Sequence, residues 1–245
     1  MQNWSDPRTT TAAQPAVSVG VPRATRDAGL RSYMLSVYNY MASGVLLTGI
    51  VALGLAMTGV AQSIFFGGGI LKWVVIFAPL IMVMVMGFKA QNMSEGGMKT
   101  FFFAFAAVMG VSMSVIPLIY SGTSIAQTFF ATAVAFMSLS LWGYTTKKDL
   151  SGWGTFLMMG VIGLLVVMIG NMFLRSDALS MAISAIGVLL FAGLTAYDTQ
   201  KIKSMYAYVA GSEMMGKSAI LGALTLYLDF INMFQFLLSF MGNRE

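Results

Sequence analysis

The chain has 245 residues, of which 58% are hydrophobic and only 9% are charged, with a net charge of +5, whereas a soluble domain carries about 25% charged residues. It contains no Cys and no His, which excludes disulfides, thiolate or imidazole metal sites, Cys nucleophiles and Ser-His triads. The composition indicates a polytopic, all-α membrane protein, in which oxygen ligands for a hard cation such as calcium remain available.

The chain divides into a polar tail and a hydrophobic body. Residues 1–29 are rich in Thr, Ala and Pro and lack apolar periodicity, so we predict a disordered cytoplasmic tail without a signal peptide. Residues 30–245 are predicted to form one transmembrane domain. A span needs about 20 apolar residues, and seven segments qualify. They are residues 35–57, 70–88, 101–120, 124–144, 154–174, 178–198 and 219–241. The longest polar connection, 199–218, is amphipathic.

The positive charges predict the orientation of these spans. With the N-terminus in the cytoplasm, three basic residues lie outside (Lys72, Arg175 and Arg244) and eleven lie inside. The eleven are Arg8, Arg23, Arg26, Arg31, Lys89, Lys99, Lys147, Lys148, Lys201, Lys203 and Lys217. This distribution satisfies the positive-inside rule and places the C-terminus outside. The basic residues form no continuous stripe, so we predict no nucleic-acid partner.

Two acidic residues fall within predicted spans. Asp198 ends the sixth span in FAGLTAYDTQKIK (191–203), and Asp229 lies inside the seventh in LTLYLDFINMFQFLLSF (224–240). A charged side chain near the bilayer centre costs roughly 2.5–3.5 kcal/mol on insertion scales. Intramembrane ionisable groups are therefore treated as candidates for function. The two carboxyl groups are expected to meet if their helices are neighbours, although their estimated depths do not match fully.

A pair of carboxyl groups in a low-dielectric pocket would act as a proton-sensitive latch. Both groups cannot ionise cheaply, so the pair would hold one proton between two oxygens and tie the helices together. Loss of that proton would leave two like charges, which separate or recruit a divalent cation. Asp198 and Asp229 are thus the predicted gating residues and a weak calcium site. Lys89 and Lys201 are candidate counter-charges.

Simpler interpretations of the two residues remain open. Asp229 could be a neutral structural carboxyl bonded to a nearby hydroxyl, from Tyr197, Tyr227 or Thr225. Asp198 alone could be a charge at the end of an interfacial helix.

The two segments FAGLTAYDTQKIK and LYLDFINMF resemble the two signature segments of the Bax inhibitor-1 family of membrane proteins. The stretch GLRSYMLSVYNYMASGVLLTG (29–49) is similar to bacterial members, and the resemblance covers nearly the whole chain after the tail. Residues matching the signatures include Tyr197 and Asp198 in the first, and Tyr227, Asp229 and Asn232 in the second. Tyr197, Tyr227 and Asn232 are candidates for hydrogen-bond support of the acidic pair.

The resemblance implies a seven-helix fold in which the last helix is central and the others wrap around it. It also implies a pH-sensitive calcium leak, with Asp198 and Asp229 as the sensor, in a bacterial inner membrane. Calcium ions, protons and the lipid bilayer are the implied partners, and no cofactor other than calcium is expected. The other predicted spans carry no acidic residue, so a calcium route lined by many carboxylates is absent.

Two other functions compete with the leak. Some bacterial relatives are linked to restraint of a membrane-bound ATP-dependent protease, which would make this chain a regulator. Two aspartates on late spans are also similar to the dyad of intramembrane aspartyl proteases. Those proteases carry Gly-x-Gly before the second Asp, whereas Leu226, Tyr227 and Leu228 precede Asp229 here. We therefore predict that the chain is not an enzyme.

Overall fold

The computed structural model describes residues 23–243, with residues 23–25 and Gln91 described by their backbone alone. Within this range seven helices are long and apolar enough to cross a membrane, which confirms the predicted all-α fold with seven spans. The eight α-helices are α1 (Arg23–Met57), α2 (Val60–Phe66), α3 (Leu71–Lys89), α4 (Glu95–Met113), α5 (Gly122–Thr145), α6 (Ser151–Leu174), α7 (Asp177–Val209) and α8 (Met214–Met241). All but the short α2 are spans.

The helices differ from the predicted spans in three main ways. α1 begins at Arg23, inside the range predicted as tail, and residues 1–22 lie outside the described part of the chain. α7 continues past Asp198 to Val209, because the amphipathic segment predicted as a connection extends the helix beyond the apolar run. The short helix α2, between the first two spans, was not predicted.

Serine caps fix the starts of three spans. The side chains of Ser94, Ser121 and Ser176 each accept a hydrogen bond from the backbone N–H three residues later. Each bond satisfies one of the unpaired N–H groups of a first helical turn. The connection between α4 and α5 ends at the Ser121 cap.

Helix α8 is the most buried span. Of its most apolar window 61% is buried, against 39% for α7, and α8 packs against α1, α4, α5 and α7. The Tyr227 ring lies edge-on between Phe102 and Phe105 of α4. α3 packs chiefly against α4, and α6 against α7, so the wrapping of every other helix around α8 stays a prediction.

Helices α7 and α8 form an antiparallel hairpin joined by the short turn at residues 210–213. Near its far end, Ser184 donates a hydrogen bond to Ser239 over 3.1 Å. Closer to the turn, the rings of Phe191 and Phe236 stack with centroids 5.8 Å apart. These contacts set the register of the hairpin, and the same register brings Asp198 opposite Asp229.

Helix α5 approaches α7 at backbone distance. A Cβ atom on Gly143 would lie only 2.2 Å from the carbonyl oxygen of Ala196. Any side chain there would force the two helices apart, because the obstacle is backbone rather than a movable side chain. This contact holds the segment of α7 that leads into Asp198.

Candidate functional site

The candidate site is the carboxyl pair between α7 and α8. The side chains of Asp198 and Asp229 lie within hydrogen-bonding contact of each other, and they are only 8% and 4% exposed. Asp198 lies about 16 Å before the end of α7 and Asp229 about 22 Å after the start of α8, at 1.5 Å per residue. The two positions still differ by about 6 Å, so the depth mismatch expected from the sequence becomes smaller, because α7 does not end at Asp198.

The hydrogen bonding of the pair requires a proton. Oδ2 of Asp229 is buried, and among the described residues no N–H or hydroxyl group donates a hydrogen bond to it. An ionised carboxylate only accepts hydrogen bonds, so two carboxyl groups can bond to each other only when one of them is protonated. If both were ionised, two like charges would be in contact away from water. The arrangement therefore fits a pair that holds one proton.

Only one of the two candidate counter-charges is brought near the pair. Lys201 acts electrostatically on Asp198, and its ammonium group lies 5.8 Å from the centre of the Tyr197 ring. Lys89 is exposed at the end of α3 and is not among the groups that act on either carboxyl. Its helix packs chiefly against α4, which explains why the prediction for Lys89 was wrong.

The hydroxyl groups predicted to support Asp229 bind elsewhere. The hydroxyl groups of Tyr227 and Thr48 are 2.6 Å apart, and that of Thr48 donates to the carbonyl oxygen of Ala106 over 2.8 Å. These hydrogen bonds join α8 to α1 and α4. Thr225 donates to Leu221 within α8. Among the described residues, no hydroxyl group therefore donates a hydrogen bond to Asp229. This weakens the interpretation of Asp229 as a neutral structural carboxyl bonded to a hydroxyl.

Tyr197 likewise turns away from the acidic pair. A Cβ atom on Gly154 of α6 would lie 2.5 Å from the Tyr197 hydroxyl oxygen, so the ring packs onto α6 at a glycine. The side chain is half-buried there. Its observed role is to join α6 to α7 beside the site, and the prediction that it supports the pair was incorrect.

A second polar chain, which the sequence did not reveal, runs beside Asp198. The Tyr38 hydroxyl is 2.6 Å from that of Ser140, and Ser140 is 2.9 Å from the hydroxyl of Thr199. Thr199 in turn donates to the carbonyl oxygen of Thr195 over 2.7 Å. These hydrogen bonds link α1, α5 and α7 at Thr199, the residue that follows Asp198. The only sequence signal for them was Thr199 within the first signature segment.

A cavity of about 430 Å³ lies between α6, α7 and α8, on the side where α8 ends. Its polar lining consists of uncharged amide and hydroxyl side chains: Asn171, Ser180, Ser184, Asn232, Gln235 and Ser239. Asn232 lies about 4.5 Å along the helix axis from Asp229, and its amide donates to the carbonyl oxygen of Leu228 over 2.8 Å. Asn232 thus lines a polar approach towards the pair and, contrary to prediction, does not donate to it.

The pair alone does not form a tight metal site. Calcium takes six to eight oxygen ligands, whereas two carboxyl groups supply four oxygens at most. Within the described residues no cluster of three or more His, Cys, Asp or Glu side chains exists. The donors present therefore do not fit a tightly bound calcium ion.

Together these features define a helical membrane protein with seven spans in its described residues and a buried carboxyl pair between the last two. The family model described as "Inhibitor of apoptosis-promoting Bax1" matches residues 30–245. The chain therefore belongs to the Bax inhibitor-1 family, as the signature segments indicated.

Similar proteins occur in several bacteria. Uncharacterized protein RP147 of Rickettsia prowazekii (strain Madrid E) is 47% identical over 224 residues, which cover 90% of this chain and 93% of RP147. Inner membrane protein YbhL of Escherichia coli (strain K12) is 43% identical over 230 residues, covering 93% of this chain and 97% of YbhL. Uncharacterized protein YrjE of Lactococcus lactis is 37% identical over 225 residues, which cover 89% of this chain and 93% of YrjE. None of these names describes an enzyme.

Proposed function

We propose that this protein is a proton-sensitive cation leak of the inner membrane, with calcium as the transported ion. The observation that carries the proposal is the contact between the buried carboxyl groups of Asp198 and Asp229, made without a donor to Oδ2 of Asp229. The family membership and the inner-membrane relative YbhL support the setting.

The proposed gate works by protonation. At low pH the pair holds a proton, the two carboxyl groups are hydrogen-bonded, and α7 and α8 stay together. As the pH rises the pair loses that proton, and the two negative charges repel each other in a poorly solvated site. Separation of α8 from α7 then exposes two anionic groups that attract a cation. The leak is therefore expected to increase with pH.

The cavity between α6, α7 and α8 is the proposed outer approach to the gate. Gln235 is an exposed amide close to the outer end of α8. A polar group left without partners in hydrocarbon costs several kcal/mol, so we infer that water fills this cavity. The distribution of basic residues supports an orientation with the N-terminus in the cytoplasm, which places the cavity on the outer side.

Calcium flux into vesicles that contain the purified protein tests the proposal. The expected flux, followed with a dye trapped inside the vesicles, is small at about pH 6 and severalfold larger at about pH 8, because loss of the shared proton would open the proposed gate. Empty vesicles at each pH supply the background. A flux that equals this background at every pH, or that increases towards acid, would contradict the proposal.

Neither competing function gains a specific observation. A protease dyad must admit a substrate strand and water, whereas both carboxyl groups are buried and Tyr227, two residues before Asp229, is fully enclosed by its neighbours. Regulation of a membrane protease would use the tail and the segment 199–218 as docking surfaces. Residues 1–22 lie outside the described range, and the segment 199–218 forms the end of α7, the turn and the start of α8. The cation leak is therefore the function that the geometry supports best.

A further inference from the structure

A second cavity, also of about 430 Å³, lies between α1 and α5, near the ends of these helices that face the N-terminal side of the membrane. We call it the α1–α5 groove. Its inner wall is formed by Met34, Tyr38, Phe136 and Ser140, and Arg31 and Tyr144 stand at its mouth. Leu35 and Leu141 form part of the rim and are more than half exposed. The groove thus opens sideways towards the lipid, and most of its lining is apolar.

The depth of the groove matches the boundary between lipid headgroups and acyl chains. α1 has 35 residues and is about 52 Å long at 1.5 Å per residue, which exceeds the roughly 30 Å of hydrocarbon in a bilayer. Its first turns therefore lie outside the hydrocarbon, and Arg31 belongs to this part. The groove extends from Arg31 towards Tyr38, so it passes from the headgroup level into the level of the acyl chains.

Two cationic side chains lie near the mouth of the groove, where one exposed carboxylate, Asp27, lies one turn before Arg31 on α1. Arg31 is exposed there. Lys203 of α7 donates to the carbonyl oxygen of Tyr144 over 2.7 Å, and its ammonium group lies 4.7 Å from the centre of the Tyr144 ring. Two cationic groups therefore flank the end of α5. Basic side chains at this level attract anionic headgroups, and the effect is about 1 kcal/mol for each Lys or Arg.

We propose that the α1–α5 groove binds an anionic phospholipid from the leaflet on the N-terminal side, with one acyl chain in the groove and the phosphate between Arg31 and Lys203. An apolar groove that opens into a bilayer is filled by lipid tails, and the two cations select a headgroup with net negative charge over a zwitterionic one. The proposal concerns binding and does not depend on ion conduction.

The groove also touches the hydrogen-bond chain beside Asp198. Tyr38 and Ser140, both on its inner wall, are hydrogen-bonded to each other, and Ser140 is hydrogen-bonded to Thr199. An acyl chain packed against Tyr38 would hold α1 and α5 in the arrangement that keeps these hydrogen bonds intact. If the proposed leak is correct, the bound lipid would stabilise its closed state.

Native mass spectrometry of the full chain tests the binding. The protein is mixed with phosphatidylglycerol or with phosphatidylcholine of identical acyl chains, and bound lipids are counted. The wild-type protein is expected to favour the anionic lipid, and Arg31→Gln should weaken that preference about fivefold, since one cation is lost. Leu141→Trp, which fills the rim without altering charge, should reduce binding of both lipids.

The matched control is Lys99→Gln, an exposed cation on the same side of the membrane that lies over the Tyr40 ring, 5.4 Å from its centre. This variant should keep the wild-type preference. Equal binding of the two lipids by the wild-type protein, or an unchanged preference in Arg31→Gln, would overturn the proposal. Because flux is not measured, a failure of the proposed leak would leave this result intact, and the two proposals fail separately.

Discussion

Replacement of Asp229 by Asn is expected to abolish the pH dependence of the calcium leak, so that the ratio of flux at about pH 8 to flux at about pH 6 falls to about one. The Asn side chain has nearly the shape of Asp, and its amide can donate a permanent hydrogen bond to the Asp198 carboxylate. It thereby imitates the protonated pair and has no proton to lose. The variant should remain closed at both values of pH.

The matched control for this variant is Asp149→Asn. Asp149 lies in the loop between α5 and α6, where the Ser151 backbone N–H donates to its Oδ1 over 2.9 Å and holds the pKa of this exposed carboxyl below its usual value. It is therefore ionised throughout the assay and cannot produce the change in flux. Asp149→Asn should behave as wild type. A folded Asp229→Asn variant with the wild-type pH profile would remove the pair from the mechanism.

Replacement of Gly143 by Ala is expected to cause the largest loss of stability among single methyl additions in the spans. The new Cβ would stand 2.2 Å from the carbonyl oxygen of Ala196, so α5 and α7 must move apart. Overpacking of this kind costs about 1–3 kcal/mol. Thermal unfolding in detergent, followed by loss of the monodisperse protein peak, should show a clearly lowered midpoint. The pH response should also weaken, since Ala196 lies two residues before Asp198.

Gly163→Ala is the matched control for Gly143→Ala. Gly163 lies in the middle of α6, and a Cβ atom there would meet nothing within 4 Å. Ala favours a helix over Gly by about 1 kcal/mol, so this variant should unfold at or slightly above the wild-type temperature. Equal midpoints for the two variants would show that the approach of α5 to α7 does not limit stability.

Most of the fold could be predicted from hydrophobic runs, because a span must satisfy its backbone groups within its own helix. The features that were missed are those that the length of an apolar run does not define. α7 continues through the amphipathic segment after Asp198 and ends at Val209, and α1 begins at Arg23. Helices that project from the bilayer keep their hydrogen bonds without being apolar, so hydropathy underestimates their length.

Asp198 and Asp229 could be predicted as candidates from the cost of burying two carboxyl groups. The contact between the two side chains could not be predicted. Contact depends on the register of the hairpin, which is set by the turn at 210–213 and by packing such as that of Phe191 on Phe236. The partners of Tyr197, Tyr227 and Asn232 were mispredicted for a related reason. Proximity along a helix does not define which neighbouring helix a side chain faces, and Tyr227 faces α1 and α4.

The polar cavity and the α1–α5 groove were not predictable from sequence. The groove is lined by α1 and α5, which are far apart in the chain, and the cavity by three consecutive helices, α6, α7 and α8. The amides Asn171, Asn232 and Gln235 were the available signal for the cavity, because an amide inside a span requires water or a polar partner. Empty space between helices depends on how side chains interlock, and that information appears only in the assembled structure.

Infrared spectroscopy of the purified protein in lipid, with carbon-13-labelled aspartate, tests the central claim most directly, because a protonated carboxyl has a carbonyl band that a carboxylate lacks. At neutral pH the wild-type protein should show this band from one aspartate, and Asp229→Asn, in which the Asp198 carboxylate accepts a hydrogen bond from a permanent amide donor, should lose it. A wild-type spectrum with only ionised aspartates at neutral pH would contradict a shared proton between α7 and α8.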